Sequence, residues 1–213
     1  VSIALGICTY LFLRSAPPSE EVQKESQFKL SHFKTLLSSP IIWLLSIANL
    51  LMVGSLEGFA DVWGVPYLMT GYSIAKSDAA ALISFIFVGM LFGGPFLATL
   101  SQKLGHYTVI SLCGLGMAIG FLTLLSLSCY NWYFLASLFF CIGLLCCYQV
   151  IVFAAGADLV SAPLLGVTIA FLNCINMLGG SFFHTTVGLM MDVFWTGTIG
   201  ADGIRQYTLA SYE

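Results

Sequence analysis

The sequence predicts an all-α protein that crosses a membrane several times. Three observations carry that prediction. Of 213 residues, 59% are apolar and only 8% are charged, whereas a soluble domain carries about 25% charge. Five apolar stretches each reach the roughly 20 residues that a helix needs to cross a bilayer core of about 30 Å. None shows the alternation of a lipid-facing barrel strand, so helices must satisfy the backbone where hydrocarbon offers no partner.

The same composition excludes whole classes of function. Too little charge exists to coat a water-facing surface, which removes a soluble enzyme and a disordered tail. Seven Lys and Arg stand against ten Asp and Glu, a net charge of −3, so there is no basic footprint for nucleic acid. The seven cysteines (Cys8, Cys113, Cys129, Cys141, Cys146, Cys147, Cys174) are odd in number and sit mostly in apolar runs. They read as small packing residues, not as a disulfide framework or a metal site. No cofactor and no metal is expected.

Taken in order, residues 1–14 look like the end of a truncated transmembrane helix. The run is too short to span, and Arg14 follows it where a secretory signal would carry its charge in front. The sequence thus reads as a piece of a longer protein. Residues 15–39 form a polar central loop, opening on Ala16-Pro17-Pro18-Ser19 and passing Glu20, Glu21, Lys24 and Glu25. Its end places Leu30, Phe33 and Leu37 on one helical face, with Lys29 and Lys34 elsewhere, as in a short helix lying at the membrane surface. A solvated linker is the competing reading.

Residues 40–195 hold the five spans, predicted at Pro40–Tyr72, 82–101, 107–128, 132–157 and 167–195. Residues 196–213 are a polar, Gly-containing loop on the far side. Alternation puts Arg14, Lys24, Lys29, Lys34 and Lys103 on one side and Lys76 and Arg205 on the other. Five against two makes the first side cytoplasmic by the positive-inside rule. Gly89 with Gly93, and Gly116 with Gly120, are GxxxG pairs for close helix packing. Gly114-Leu115-Gly116 is no nucleotide loop, because it lies inside an apolar span with no strand before it.

One stretch carries a resemblance: Gly94-Pro95-Phe96-Leu97-Ala98-Thr99-Leu100-Ser101-Gln102-Lys103-Leu104-Gly105-His106. A span ends there in a small turn with one basic residue and re-enters lipid at once. It resembles the cytoplasmic-loop signature of the major facilitator superfamily, in the copy between helices eight and nine. Gly94, Pro95, Ser101, Lys103 and Gly105 fit that signature. Gln102 replaces its usual acid, and His106 stands where Arg or Lys is common. Gly156-Ala157-Asp158 closes one span and Gly166-Val167-Thr168 opens the next after a short loop; Asn173, Gly179-Gly180, Gly188 and Asp192 then follow at spacings similar to helix eleven, and Pro40-Ile41-Ile42-Trp43 resembles the start of helix seven. The resemblance implies a partial C-terminal six-helix half, from the end of helix six to helix eleven. It also implies a secondary transporter working by alternating access between two halves, with the N-terminal half of the same protein and the lipid bilayer as partners. A multi-pass location in a bacterial inner (plasma) membrane goes with this reading.

Ionisable groups inside spans are expensive and mark function. Glu57 and Asp61 lie four residues apart, on one helical face, about 25 to 30 Å along the first span at about 1.5 Å per residue. Carboxyls paired in apolar surroundings are the groups from which proton sites are built. A wetted outer mouth is the alternative for both. His184 falls at a similar depth in the last span, so a Glu57–His184 pair is a candidate proton relay. Gly54, Gly58, Gly64 and Pro66 suggest a bent or unwound outer segment beside the acids. Asn173 and Asn176 on the last span are candidate substrate ligands. Asn49, Tyr148 and Gln149 join them as cavity candidates by the family analogy. Helix glue is the alternative for the Asn side chains.

Proton symport of a small polar metabolite is the leading reading. Against it stand an exporter of amphipathic drugs, which the 14% aromatic content favours, a transport-dead receptor, and a membrane-embedded hydrolase. No HExxH or paired catalytic Asp motif supports the hydrolase, and Ser181 lies too close to His184 on one helix to form a relay.

Overall fold

The computed structural model describes residues 30–127 and 130–199, with Arg205 and Tyr207. The expected truncated helix at 1–14, most of the central loop, most of the far-side tail, Arg14, Lys24, Lys29, Cys8 and Cys129 lie outside the described residues. Every described helix long and apolar enough to cross a membrane coincides with a predicted span, five in all.

A short helix, α1 (Leu30–Leu37), precedes the first span. Its buried side chain is Leu36 at 2% exposure, while Leu37 is 37% exposed. Of the face expected from Leu30, Phe33 and Leu37, Phe33 is half-buried and Leu37 is exposed, while the Leu30 side chain lies outside what is described. The Trp43 indole N–H donates to the Leu37 carbonyl at 2.8 Å, tying the end of α1 to the next helix.

The first span opens with Pro40 in the first turn of α2 (Pro40–Glu57), where proline's missing N–H is no loss. It continues through a π-helical turn at Gly58–Trp63 and ends as α3 (Gly64–Tyr72). The interruption is thus a widened winding, not an unwound break, and Pro66 sits in the first turn of α3. Ser73, at φ 53, stops the helix. The second span, α4 (Lys76–Leu104), passes through Pro95. It begins six residues before the apolar window, with Asp78 in the first turn, where a negative charge complements the helix dipole.

Gly105 alone separates α4 from α5 (His106–Ser126), and its φ of 83° with ψ 155° is a conformation essentially reserved for glycine. The fourth span is α6 (Trp132–Cys146), capped by Asn131 accepting from the Phe134 N–H at 3.1 Å, followed after a break at Cys147 by α7 (Tyr148–Asp158). A 3-10 turn (Ala162–Leu164) leads into the last span, α8 (Leu165–Val193).

Glycines decide how the spans meet. A Cβ on Gly89 would strike the Phe140 carbonyl, one on Gly93 the Leu144 carbonyl, and one on Gly143 the Ile86 carbonyl. The second and fourth spans therefore run side by side, parallel and backbone to backbone. The first and last spans repeat the arrangement: a Cβ on Gly179 would lie 2.6 Å from the Leu50 carbonyl, and one on Gly54 2.8 Å from the Gly179 carbonyl. The third span, α5, leans on the fourth through Gly116 and Gly120, which receive the Leu145 and Ile142 side chains. These close approaches are what small residues permit in lipid, where dispersion and not water drives association. Cys113 and Cys146 are buried in the packed interior, and the described cysteines are free thiols.

Candidate functional site

The α2–π junction on the first span faces α8, and this is where ionisable groups collect. Glu57 closes α2 and is half-buried. Its carboxylate presses on Gly180 of α8, where a Cβ would collide with Oε2. Asp61 follows four residues on in the same span, and His184 lies on the facing helix. The two acids are less alike than spacing suggests: Asp61 rides on the π turn and is exposed, whereas Glu57 is half-buried. His184 lies over Gly58, its Cδ2 4.0 Å from the place a Cβ would take, and its Nε2 is buried without a hydrogen-bond partner among the described residues.

Beside this junction lies a cavity of about 550 Å³ between the first, third and last spans. Phe59, Trp63, Tyr67, Phe121, Phe183 and Phe194 contribute six aromatic rings to its wall, and it shares Gly58 and Phe183 with the surroundings of His184. Sequence reading noted the aromatic content but not its convergence, since Phe59 and Phe121 meet edge to face at 5.5 Å across 62 residues of chain.

The expected substrate ligands separate into two sets. Asn49, Tyr148 and Asn176 are 0%, 0% and 1% exposed and lie inside the bundle. The Tyr148 hydroxyl donates to the Asn49 carbonyl oxygen at 3.2 Å. Asn173 is exposed on α8 and Gln149 half-exposed on α7, so these two remain accessible from outside the described bundle.

At the other end of the bundle, the loop-motif residues Ser101, Gln102, Lys103 and Gly105 form the α4–α5 turn, while Gly94 lies farther back within α4. Gln102 and Lys103 are exposed and Ser101 is 3% exposed. Ser101 Oγ and His106 Nδ1 share a hydrogen bond of 2.5 Å, and His106 Nε2 meets Asp158 Oδ2 at 3.2 Å. Three spans are thus joined through one imidazole. The sequence held a signal for it, a histidine in a position usually basic and an acid closing the fourth span.

Lys76 and Arg205 line a second cavity of about 690 Å³ at the opposite end. There Asp192 accepts from Arg205 and from the Tyr207 hydroxyl, both at 2.7 Å. That hydrogen-bonded carboxylate raises the pKa of both the phenol and the guanidinium from their ordinary values. The Arg205 guanidinium also stacks 4.6 Å from the Trp195 ring, and Tyr207 meets Trp63 of the π turn edge-on at 6.3 Å.

A family model, the Major Facilitator Superfamily, matches residues 1–184. No curated protein matches the chain. Among solved structures, the chain is similar to a bacterial homolog of the human lysosomal transporter Spinster, crystallised in an inward-facing and unoccupied conformation. The TM-score is 0.61 at 18% identity, over 90% of this chain and 42% of that one. The likeness is one of fold, and the chain spans less than half the length of that structure.

Proposed function

Because the chain belongs to the Major Facilitator Superfamily, we propose that it forms part of a proton-coupled secondary transporter of a small polar metabolite, working by alternating access in a multi-pass membrane protein. The observation that carries the proposal is Glu57, a carboxyl set in an apolar span against a bare glycine of α8 and within electrostatic reach of His184 and Asp61. An intramembrane acid at a helix irregularity, with a histidine beside it, is equipped to load and release a proton. Glu57 is the proton carrier in this reading, His184 its relay and Asp61 an outer antenna. Gln149 and Asn173 meet the substrate, while Asn49, Tyr148 and Asn176 stand behind them. The other half of the transporter and the lipid bilayer complete the assembly, and a bacterial inner membrane is the proposed location.

The test is transport by the intact protein in proteoliposomes, with the substrate first found by thermal-shift screening of small polar metabolites. Glu57→Gln should abolish uptake driven by a proton gradient and largely spare substrate exchange, which proceeds with the site permanently neutral. Asp61→Asn should act more weakly. Full proton-driven accumulation by Glu57→Gln, with an unchanged pH profile, would reduce Glu57 to a mouth-lining charge.

A second reading, export of amphipathic compounds, is favoured by the aromatic wall of the 550 Å³ cavity. Binding of amphipathic cations that is lost in Phe121→Ala, with no polar metabolite bound, would select it.

A further inference from the structure

Asn49 and Asn176 pose an accounting problem that the transport reading leaves open. Both are sealed inside the bundle, at 0% and 1% exposure. Yet Asn49 Oδ1, Asn49 Nδ2 and Asn176 Oδ1 have no hydrogen-bond partner among the described residues. A buried unpaired amide atom is costly, and the large majority of buried side-chain polar atoms in native proteins have a protein or ordered-water partner.

The two residues also lie at one depth. Trp43 packs on Phe171 with ring centroids 5.3 Å apart, and the Leu50 carbonyl abuts Gly179. Contacts between α2 and α8 (Gly54 and Leu50 with Gly179, Trp43 with Phe171) pair residues 125 to 129 positions apart in parallel register. By that register Asn49 is level with residues 174 to 178, within about 3 Å of Asn176 along the axis at about 1.5 Å per residue. Tyr148 of α7 closes the junction through its hydroxyl on the Asn49 carbonyl.

The pattern of unpaired atoms selects the guest. A metal cation would satisfy amide oxygens and leave the Asn49 Nδ2 donor unpaired. A purely accepting anion would leave the oxygens unpaired. What fits is a small neutral group that donates and accepts at once. Both side chains are closed off from the surface of the bundle, at 0% and 1% exposure. We propose that Asn49 and Asn176 hold an ordered water between α2 and α8, a buried hydrated joint at the α2–α7–α8 junction. Buried waters of this kind make about three hydrogen bonds to otherwise unpaired groups, here two amide side chains.

The sign of a substitution decides the matter. In the intact purified protein, Asn49→Leu and Asn176→Leu should each lower the unfolding midpoint by roughly 2–4 °C, the shift that about 1 kcal/mol produces in a protein of this size. The double variant should lose clearly less than the sum, since the first change already strands the shared guest. X-ray radiolysis of the wild-type protein makes hydroxyl radicals from bound water in place, and it should oxidise Tyr148 despite its complete burial. A rise in midpoint for either leucine variant would overturn the proposal, because a dry unpaired amide is better replaced by Leu. Additive losses would overturn the shared guest. An unlabelled Tyr148 would overturn the water even where a leucine variant fails to fold. Coupling between the two asparagines that appears only with a transported compound present would assign the site to a substrate hydroxyl or amide instead.

Discussion

The Glu57 carboxylate occupies the space that a methyl group on Gly180 would need. A flexible side-chain end yields more easily than backbone, so Gly180→Ala should displace the carboxylate while the helices stay in place. Proton-driven uptake by the intact protein should fall several-fold with little change in unfolding midpoint. Gly180→Ala added to Glu57→Gln should have no further effect on transport. Gly166→Ala, where a Cβ meets nothing within 4 Å, is the control.

The second–fourth span crossing should be far less forgiving. A Cβ on Gly143 would run into the Ile86 carbonyl, and backbone has nowhere to go. Gly143→Ala should destabilise by about 1–3 kcal/mol or more, as overpacking does. Gly94→Ala on the facing helix, with nothing within 4 Å, should stay within about 0.5 kcal/mol. Thermal unfolding in detergent compares the two, and equal losses would mean the crossing is looser than described.

His106 joins Ser101 to Asp158 with the Asp158 carboxylate 70% exposed. Exposed ion pairs contribute roughly 1 kcal/mol or less, so Asp158→Asn should barely move the unfolding midpoint. If it alters transport, the effect should be in rate and not in substrate affinity, read by separating kcat from KM. A large loss of stability would show the contact to be structural.

Lys103 and Lys76 sit at opposite ends of α4, and the basic bias assigns Lys103 to the cytoplasm. In a cysteine-free intact protein on whole cells, an impermeant thiol reagent should label a cysteine at position 76 and spare one at position 103. The reverse pattern would invert the orientation.

What was legible in the sequence followed from length and hydropathy, because a bilayer demands a minimum apolar run. Pro40, the Gly89–Gly93 pair and the α4–α5 turn were readable for the same local reasons. Contacts made across the chain were not. The Ser101–His106–Asp158 chain joins residues 57 positions apart. The break at Cys147 has no proline or glycine to announce it. At the candidate site, sequence depth put Glu57 and His184 level on two spans, but that those spans adjoin and bury Asn49 and Asn176 depends on how closely α8 approaches α2.

The π turn at Gly58–Trp63 sets an angular phase. Closing i→i+5 in place of i→i+4 spends one extra residue in a turn, and at 3.6 residues per turn that residue is worth about 100° of rotation. Tyr67 and Leu68 are both buried in the outer stretch of the span, and the turn sets the direction in which they face. Removing one residue from 58–63 would let the segment rewind as plain α-helix while leaving those two side chains on the face they now present, whereas rewinding at full length would turn both by about 100°. The first span therefore behaves like two helices on one axis with a fixed clocking between them, and the clocking is written at the residue next to Glu57.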